Sequence, residues 1–203
     1  MVIFAKIRIL TNEIIPLLFM IPYPEFDLAS YKFLIIAFKQ ERLLTVYTCL
    51  NNKFKEVYRF SFTAFSGTLG PKLREGDGQI PEGIYTIDYL NPNSKFCKSF
   101  KLNYPNSFDL EYTTKEGIQQ PGSDIFIHGG ASSKGCIAIG DEAAIQLFHF
   151  VEKEGKDNFL ILIFPKRPNP DLSDVPVQTA RTTEIYKTLE KVWNSIYFLI
   201  PQL

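Results

Sequence analysis

Two residues in the second half of the chain are of the types that could do covalent chemistry together. His128 and Cys136 stand eight positions apart in Ile125–Glu142 (IFIHGGASSKGCIAIGDE). A thiol with an ordinary pKa of about 8.5 is only a few per cent thiolate at neutral pH, so a nucleophilic cysteine needs an adjacent base or an electropositive site. Gly129 to Ser133 make a loop of small residues that can fold back and bring imidazole to sulfur. Gly135 lets the backbone approach a substrate carbonyl closely. The N–H groups of Gly135 and Cys136 are the candidates for holding the oxyanion that forms on attack. The chemistry this set suits is acyl transfer, with Cys136 as nucleophile and His128 as its base. Each member also has a plainer reading. A lone cysteine is most often a small buried hydrophobe, a histidine at a strand end is often a satisfied core residue, and Ser132 and Ser133 suit turn positions.

The elements that must position this pair read mainly as strands. Asp124–His128 (DIFIH) is a short buried strand ending on the histidine, and Ile137 and Ile139 resume an apolar pattern after the cysteine. Upstream, Phe33–Phe38 (FLIIAF) is unbroken apolar sequence, Arg42–Cys49 (RLLTVYTC) is rich in β-branched and aromatic residues, and Phe54–Phe62 begins by alternating. Turns at Gln40-Glu41 and Asn51-Asn52 would join these as antiparallel hairpins. Ser66–Tyr85 is a long glycine-punctuated loop, Gly83–Tyr89 a strand, Asn91–Asn106 another loop around a short apolar run at Phe100–Tyr104, and Phe159–Phe164 (FLILIF) the last core strand. Asp141 can cap a helix that carries Ala144, Ile145, Phe148 and Val151 on one face and closes at Gly155. A second helix, over Thr183–Ile200, aligns Ile185, Leu189, Val192, Trp193 and Ile196. The expected fold is therefore mainly β with peripheral α-helices.

With these residues in place, the chain resembles the L,D-transpeptidase (YkuD-type) catalytic domain. The likeness rests on His128-Gly129 followed by Ser133-Lys134-Gly135-Cys136-Ile137. The short spacing and the trailing Asp141-Glu142 point to the YafK-like branch. Gly70-Pro71-Lys72, Glu75-Gly76-Asp77-Gly78, Pro81-Glu82-Gly83, Asn91-Pro92-Asn93-Ser94 and Tyr104-Pro105-Asn106 are similar to that branch as well. The resemblance spans about Phe33 to Phe164. It implies a β-sandwich or barrel acting on peptidoglycan stem peptides through a thioester, with the backbone carbonyl of Gly129 orienting the histidine and with no cofactor. An amine resolves the thioester in a transpeptidase, and water does so in a carboxypeptidase or an amidase that releases wall-linked protein. A catalytically inactive wall-binding protein on the same scaffold is the alternative from another class. The resemblance also implies action in the periplasm or cell envelope. Many relatives have His at the position of Lys134 and Arg at that of Ala138. Lys134 supplies a charge that could favour thiolate, whereas the missing Arg leaves open how substrate is held. Ser133 and Lys134 beside the cysteine, and Lys72 and Arg74 on the glycine-rich loop, are the substrate-binding candidates; for the loop pair a solvated face competes evenly.

Composition narrows the partners. Lys+Arg and Asp+Glu number 22 each, so no basic field exists to draw nucleic acid or an anionic membrane. The three cysteines (Cys49, Cys97, Cys136) and two histidines (His128, His149) lack metal-ligand spacing, and no metal is expected. Cys49 and Cys97 read as structural or incidental, and His149 as mid-helix and solvent-facing or packed. Ile14–Tyr23 loosely imitates a secretory signal but contains Pro16 and is shorter than the roughly 20 residues of a membrane span. The expected organisation is a lead-in over 1–30, a catalytic domain over 31–165, and a connector with a long C-terminal helix over 166–203, in a monomer.

Overall fold

Phe33–Phe38 forms strand β1, and every one of its side chains is buried. The reason is visible in a computed structural model, which describes residues 28–50, 53–176 and 179–200. Phe33, Ile35 and Ala37 point into one hydrophobic core, while Leu34, Ile36 and Phe38 point into another. A strand covered on both faces has no use for alternation, which accounts for its unbroken apolar sequence. Strand β2 (Leu43–Leu50) pairs antiparallel with β1, and β3 (Lys53–Ser61) pairs antiparallel with β2. On its other side β1 runs parallel to β9 (Phe159–Phe164), which divides its side chains between the same two cores. The short β4 (Gly83–Tyr85) completes a five-stranded sheet in the order β3-β2-β1-β9-β4. The candidate signal run at Ile14–Tyr23 and the turn at Asn51-Asn52 lie outside the described residues.

A second sheet of four strands has the order β5-β6-β7-β8, with β5 at Ile87–Ser94, β6 at Cys97–Leu102, β7 at Phe126–His128 and β8 at Ile137–Ala138. Two expectations need correcting here. Gly83–Tyr89 is not one strand: Thr86 separates β4 from β5, and the chain changes sheets at that point. The Thr86 N–H donates to Asn103 Oδ1 at 2.8 Å and its carbonyl accepts the Asn103 N–H, which anchors the corner. Nor is Asn91–Asn106 a loop, because β5 and β6 form a hairpin across it. Pro92 is tolerated because β5 is an edge strand with irregular register between Asn91 and Ser94. Helix α1 (Ser107–Lys115), which follows, has a capping box in which Asn106 and Asp109 satisfy each other's backbone N–H groups.

Helix α2 (Asp141–Glu154) closes the first core with Ala144, Leu147 and Val151, and Phe148 is buried beside them on the helix. Ile145, expected on that face, is exposed, and Leu147 takes its place at the i, i+3, i+4, i+7 spacing. Asp141 is not the cap: Gly140 occupies that position with no side-chain cap, and the Asp141 carboxylate is used elsewhere. Helix α3 (Ala180–Ile196) lies on the outer face of the five-stranded sheet, where Ile185, Leu189, Val192, Trp193 and Ile196 fill the second core with Leu172 and Val175 of the connector. Among the described residues the fold is mainly β, two sheets sharing a core, with three α-helices at the periphery.

Candidate active site

Strands β7 and β8 are parallel neighbours, Ile127 opposite Ile137 and His128 opposite Ala138. The loop between them must therefore double back, which carries Cys136, the residue before β8, level with Phe126 and, two positions along the register from His128, to the same face of the sheet. The Ile139 N–H donates to the His128 carbonyl at 2.9 Å and secures this turn. Both residues line one cleft of about 370 Å³, which the neighbouring β5–β6 hairpin also lines with Asn91, Asn93, Ser94, Lys95 and Phe96. Ser99 and Phe126 complete the lining.

His128 is 3% exposed. Its Nδ1 lies 2.5 Å from the Gly129 carbonyl oxygen. A carbonyl only accepts, so Nδ1 carries the hydrogen and Nε2 presents its lone pair. The Phe96 ring covers the imidazole at 4.7 Å between centroids. Burial holds the pKa of His128 below its ordinary value, opposed by the hydrogen bond to Gly129. Gly129 has no room for a side chain: a Cβ there would stand 2.7 Å from the Phe96 carbonyl oxygen and 2.5 Å from Asp141 Oδ1. That carboxylate accepts the Gly130 N–H at 2.7 Å, and Thr63 Oγ1 donates to the Gly130 carbonyl at 2.6 Å. The first turn of α2 thus fixes the loop that leaves the histidine.

Cys136 Sγ donates to the Asp124 carbonyl at 3.5 Å. Burial pushes the thiol pKa up; an N–H from Phe126 and the charge of Lys72 oppose this, and the Asp124 carboxylate adds to it. The cation acting on the sulfur is Lys72, and Lys134 is exposed away from the cleft lining. Gly135 adopts φ +103° and its missing Cβ would stand 2.8 Å from the Gln79 carbonyl oxygen, so glycine is required twice over. The Gly135 N–H, a candidate oxyanion donor, is already engaged: it donates to Ser66 Oγ at 2.8 Å. Ser66 Oγ donates onward to the Gly78 carbonyl at 2.8 Å and lies 3.0 Å from Ser133 Oγ, which donates to the Cys136 carbonyl at 2.7 Å. Ser133 thus holds the backbone of Cys136 and lies outside the cleft lining.

The two loop cations are placed differently from the rest. Lys72 is buried, its Nζ 2.8 Å from Asp77 Oδ1 and 3.0 Å from the Arg74 carbonyl oxygen. Arg74 is exposed and off the cleft. Sequence reasoning missed Lys95, Phe96 and Ser66. The first two sit on a hairpin that read as loop, and no spacing marks Ser66. Cys49 is exposed on β2, Cys97 is the first residue of β6 opposite Ser94, and His149 is exposed beside Glu152 at 3.3 Å. Among the described residues no cluster of three or more His, Cys, Asp or Glu is arranged to hold a metal, and no helix is long and apolar enough to cross a membrane.

The profile of the YkuD family, the L,D-transpeptidase catalytic domain, matches residues 32–179, which includes every residue of the cleft. The chain is 31% identical over 135 residues to YafK of Escherichia coli (strain K12), named as a candidate L,D-transpeptidase; the match takes in 64% of this chain and 52% of that protein. The chain thus spans about half the length of the curated relatives it matches. Among solved structures it is similar to the helical cell shape determining protein Pgp2 of Campylobacter jejuni, with TM-score 0.54 and 20% identity over 81% of this chain and 56% of that one. Bd1075 of Bdellovibrio bacteriovorus gives TM-score 0.50 and 19% identity over 83% and 57%. At such identities these structures speak for the fold. Fold, turn and matched region agree: the chain belongs to the L,D-transpeptidase catalytic-domain family.

Proposed function

We propose that this protein is a cysteine-dependent acyltransferase acting on peptidoglycan stem peptides. The observation that carries the reading is that Cys136 and His128 line one cleft, with His128 Nδ1 held by the Gly129 carbonyl and Nε2 left as base. Burial disfavours both thiolate and imidazolium, so the resting pair is a neutral thiol and a neutral imidazole. The thiol turns from the Asp124 carbonyl toward Nε2 when substrate enters. Sulfur attacks the carbonyl of the third stem residue, typically a diamino acid, as its proton passes to His128. The carbonyl oxygen takes negative charge beside the Cys136 N–H, since the Gly135 N–H is held by Ser66. The C–N bond breaks, the imidazolium returns its proton to the departing terminal D-amino acid, and a thioester remains. An incoming amine, deprotonated by His128, completes transpeptidation and regenerates the thiol; water in its place gives hydrolysis. Such a substrate places the enzyme in the periplasm or cell envelope.

Incubation with a purified tetrapeptide muropeptide tests this by mass. The expected products are an acyl adduct on Cys136 and loss of one D-amino acid. Cross-linked dimers then identify amine as acceptor and a shortened monomer identifies water. Cys136→Ala and His128→Ala should each abolish turnover. Absence of adduct and product from a protein whose Cys136 still alkylates would leave an inactive scaffold.

A further inference from the structure

The cleft has a polarity that the catalytic pair does not explain. Of the residues lining it, none is Asp or Glu, and Lys95 alone carries a permanent charge. The other cations of the β5–β6 hairpin are occupied. Lys98 Nζ donates to the Pro92 carbonyl at 3.2 Å and lies over the Phe148 ring, and Lys101 pairs with Asp124 at 3.2 Å. Lys95 is exposed and has no ion pair among the described residues. Its polar neighbours are turned to match. The Asn91 side-chain oxygen already accepts the Asn93 N–H at 3.1 Å, and Ser94 Oγ accepts the Phe96 N–H at 3.1 Å. With those acceptors committed to the turn, the amide N–H groups of Asn91 and the hydroxyl hydrogen of Ser94 remain to be donated. A cation flanked by free donors and no acid suits a carboxylate. Elsewhere the supply of cations fails: Lys72 is committed to Asp77, Arg74 and Lys134 are off the cleft, and Ala138 is buried in β8.

We propose that Lys95, with Asn91 and Ser94, forms a carboxylate subsite that holds a free carboxylate of the acyl-donor peptide while its neighbouring carbonyl meets Cys136. This rests on the proposed function and names the feature of the donor that the cleft reads. A stem peptide offers more than one carboxylate, so the test separates them.

Steady-state kinetics of the full chain would compare a tetrapeptide donor with analogues in which one carboxylate at a time is converted to the amide. Lys95→Ala should raise KM for the free acid about fivefold with kcat little changed, the size of a partly solvated ion pair. Lys95→Glu should raise it further, and Lys95→Arg should hold it near the parent value. One amide analogue should show the same fivefold loss with the parent protein and no added loss with Lys95→Ala; that analogue identifies the carboxylate. Binding of the same peptides to Cys136→Ala, with and without Lys95→Ala, gives a readout independent of turnover. Turnover with KM indifferent to Lys95→Glu and to every amide would overturn the subsite and leave the acyltransferase standing. Lys95-dependent binding without turnover would do the reverse. A peptide neither bound nor turned over would sink both.

Discussion

At the scale of single residues, the two groups expected to react are held in their uncharged forms by the same cause. Burial penalises imidazolium, which lowers the His128 pKa, and penalises thiolate, which raises that of Cys136. Between those two values the site therefore rests neutral, and proton transfer belongs to the encounter with substrate. Alkylation of Cys136 by iodoacetamide should accordingly keep accelerating above the ordinary thiol range of about 8.5. A rate already level at pH 6 would instead mean a standing thiolate–imidazolium pair. Phe96 supplies part of the cover over the ring. Phe96→Ala should rehydrate the imidazole, raise its pKa toward the ordinary value of about 6.5, and move the acid limb of kcat/KM to higher pH. Nuclear magnetic resonance can follow this directly, since the chain has only two histidines and His149 is exposed; an unmoved His128 titration would discount the ring. His128, Gly129, Gly135 and Cys136 were legible because their chemistry is written in one contiguous segment. The protonation states were not, because the groups that dry the site come from β5–β6 and β7, and Lys72, which tempers the sulfur, is more than sixty positions upstream.

At the scale of elements, the glycine-rich stretch before β4 and the turn before β8 behave as one unit. Ser66 joins them by accepting the Gly135 N–H, donating to Gly78, and lying against Ser133, which itself grips the Cys136 carbonyl. Ser66→Ala would leave the Gly135 N–H only its longer bond to Ser133 Oγ at 3.3 Å, at a cost of about 1 kcal/mol, and the Gly135–Cys136 peptide would lose its aim. The expected result is a fall in kcat of about tenfold, which corresponds to about 1.4 kcal/mol, with KM nearly unchanged. A rise in kcat would mean that the released N–H joins the oxyanion site and that Ser66 restrains it. Strands buried on both faces and the long amphipathic α3 were readable from periodicity. The β5–β6 hairpin was not, since Pro92 and a run of Asn and Ser read as punctuation, and only an edge strand with broken register tolerates them. Helix α1 had left a signature in Asn106 and Asp109, three apart, that a search for capping boxes would have found.

At the scale of the whole molecule, the long glycine-rich loop must be held against the Gly135–Cys136 turn. Lys39, just past β1, is fully buried with Glu82 at 2.9 Å, and its Nζ also donates to the carbonyls of Gly70 at 2.6 Å and Ile80 at 2.9 Å. Glu82 in turn accepts the Gly70 N–H at 2.8 Å and the Tyr186 hydroxyl of α3 at 2.9 Å. One buried pair thus ties the two ends of the glycine-rich loop to the central sheet and to the C-terminal helix. The loop's interior reaches the site, since Gln79 and Gly78 stand against Gly135 and Ser66. Lys39→Met removes the cation and leaves Glu82 charged in an apolar surrounding, so stability should fall by about 3–5 kcal/mol. Adding Glu82→Leu should restore only part of it, because the Gly70 N–H and the Tyr186 hydroxyl then lose their acceptor. Urea unfolding followed by the fluorescence of Trp193 can measure both, as this is the single tryptophan and it packs between Phe38 and Phe164 in the second core. Full recovery in the double variant would mean that the pair contributes only its charge balance and that the loop is held by other contacts; a partial recovery with kcat still depressed would place the loop's anchorage in the service of the Gly135–Cys136 turn.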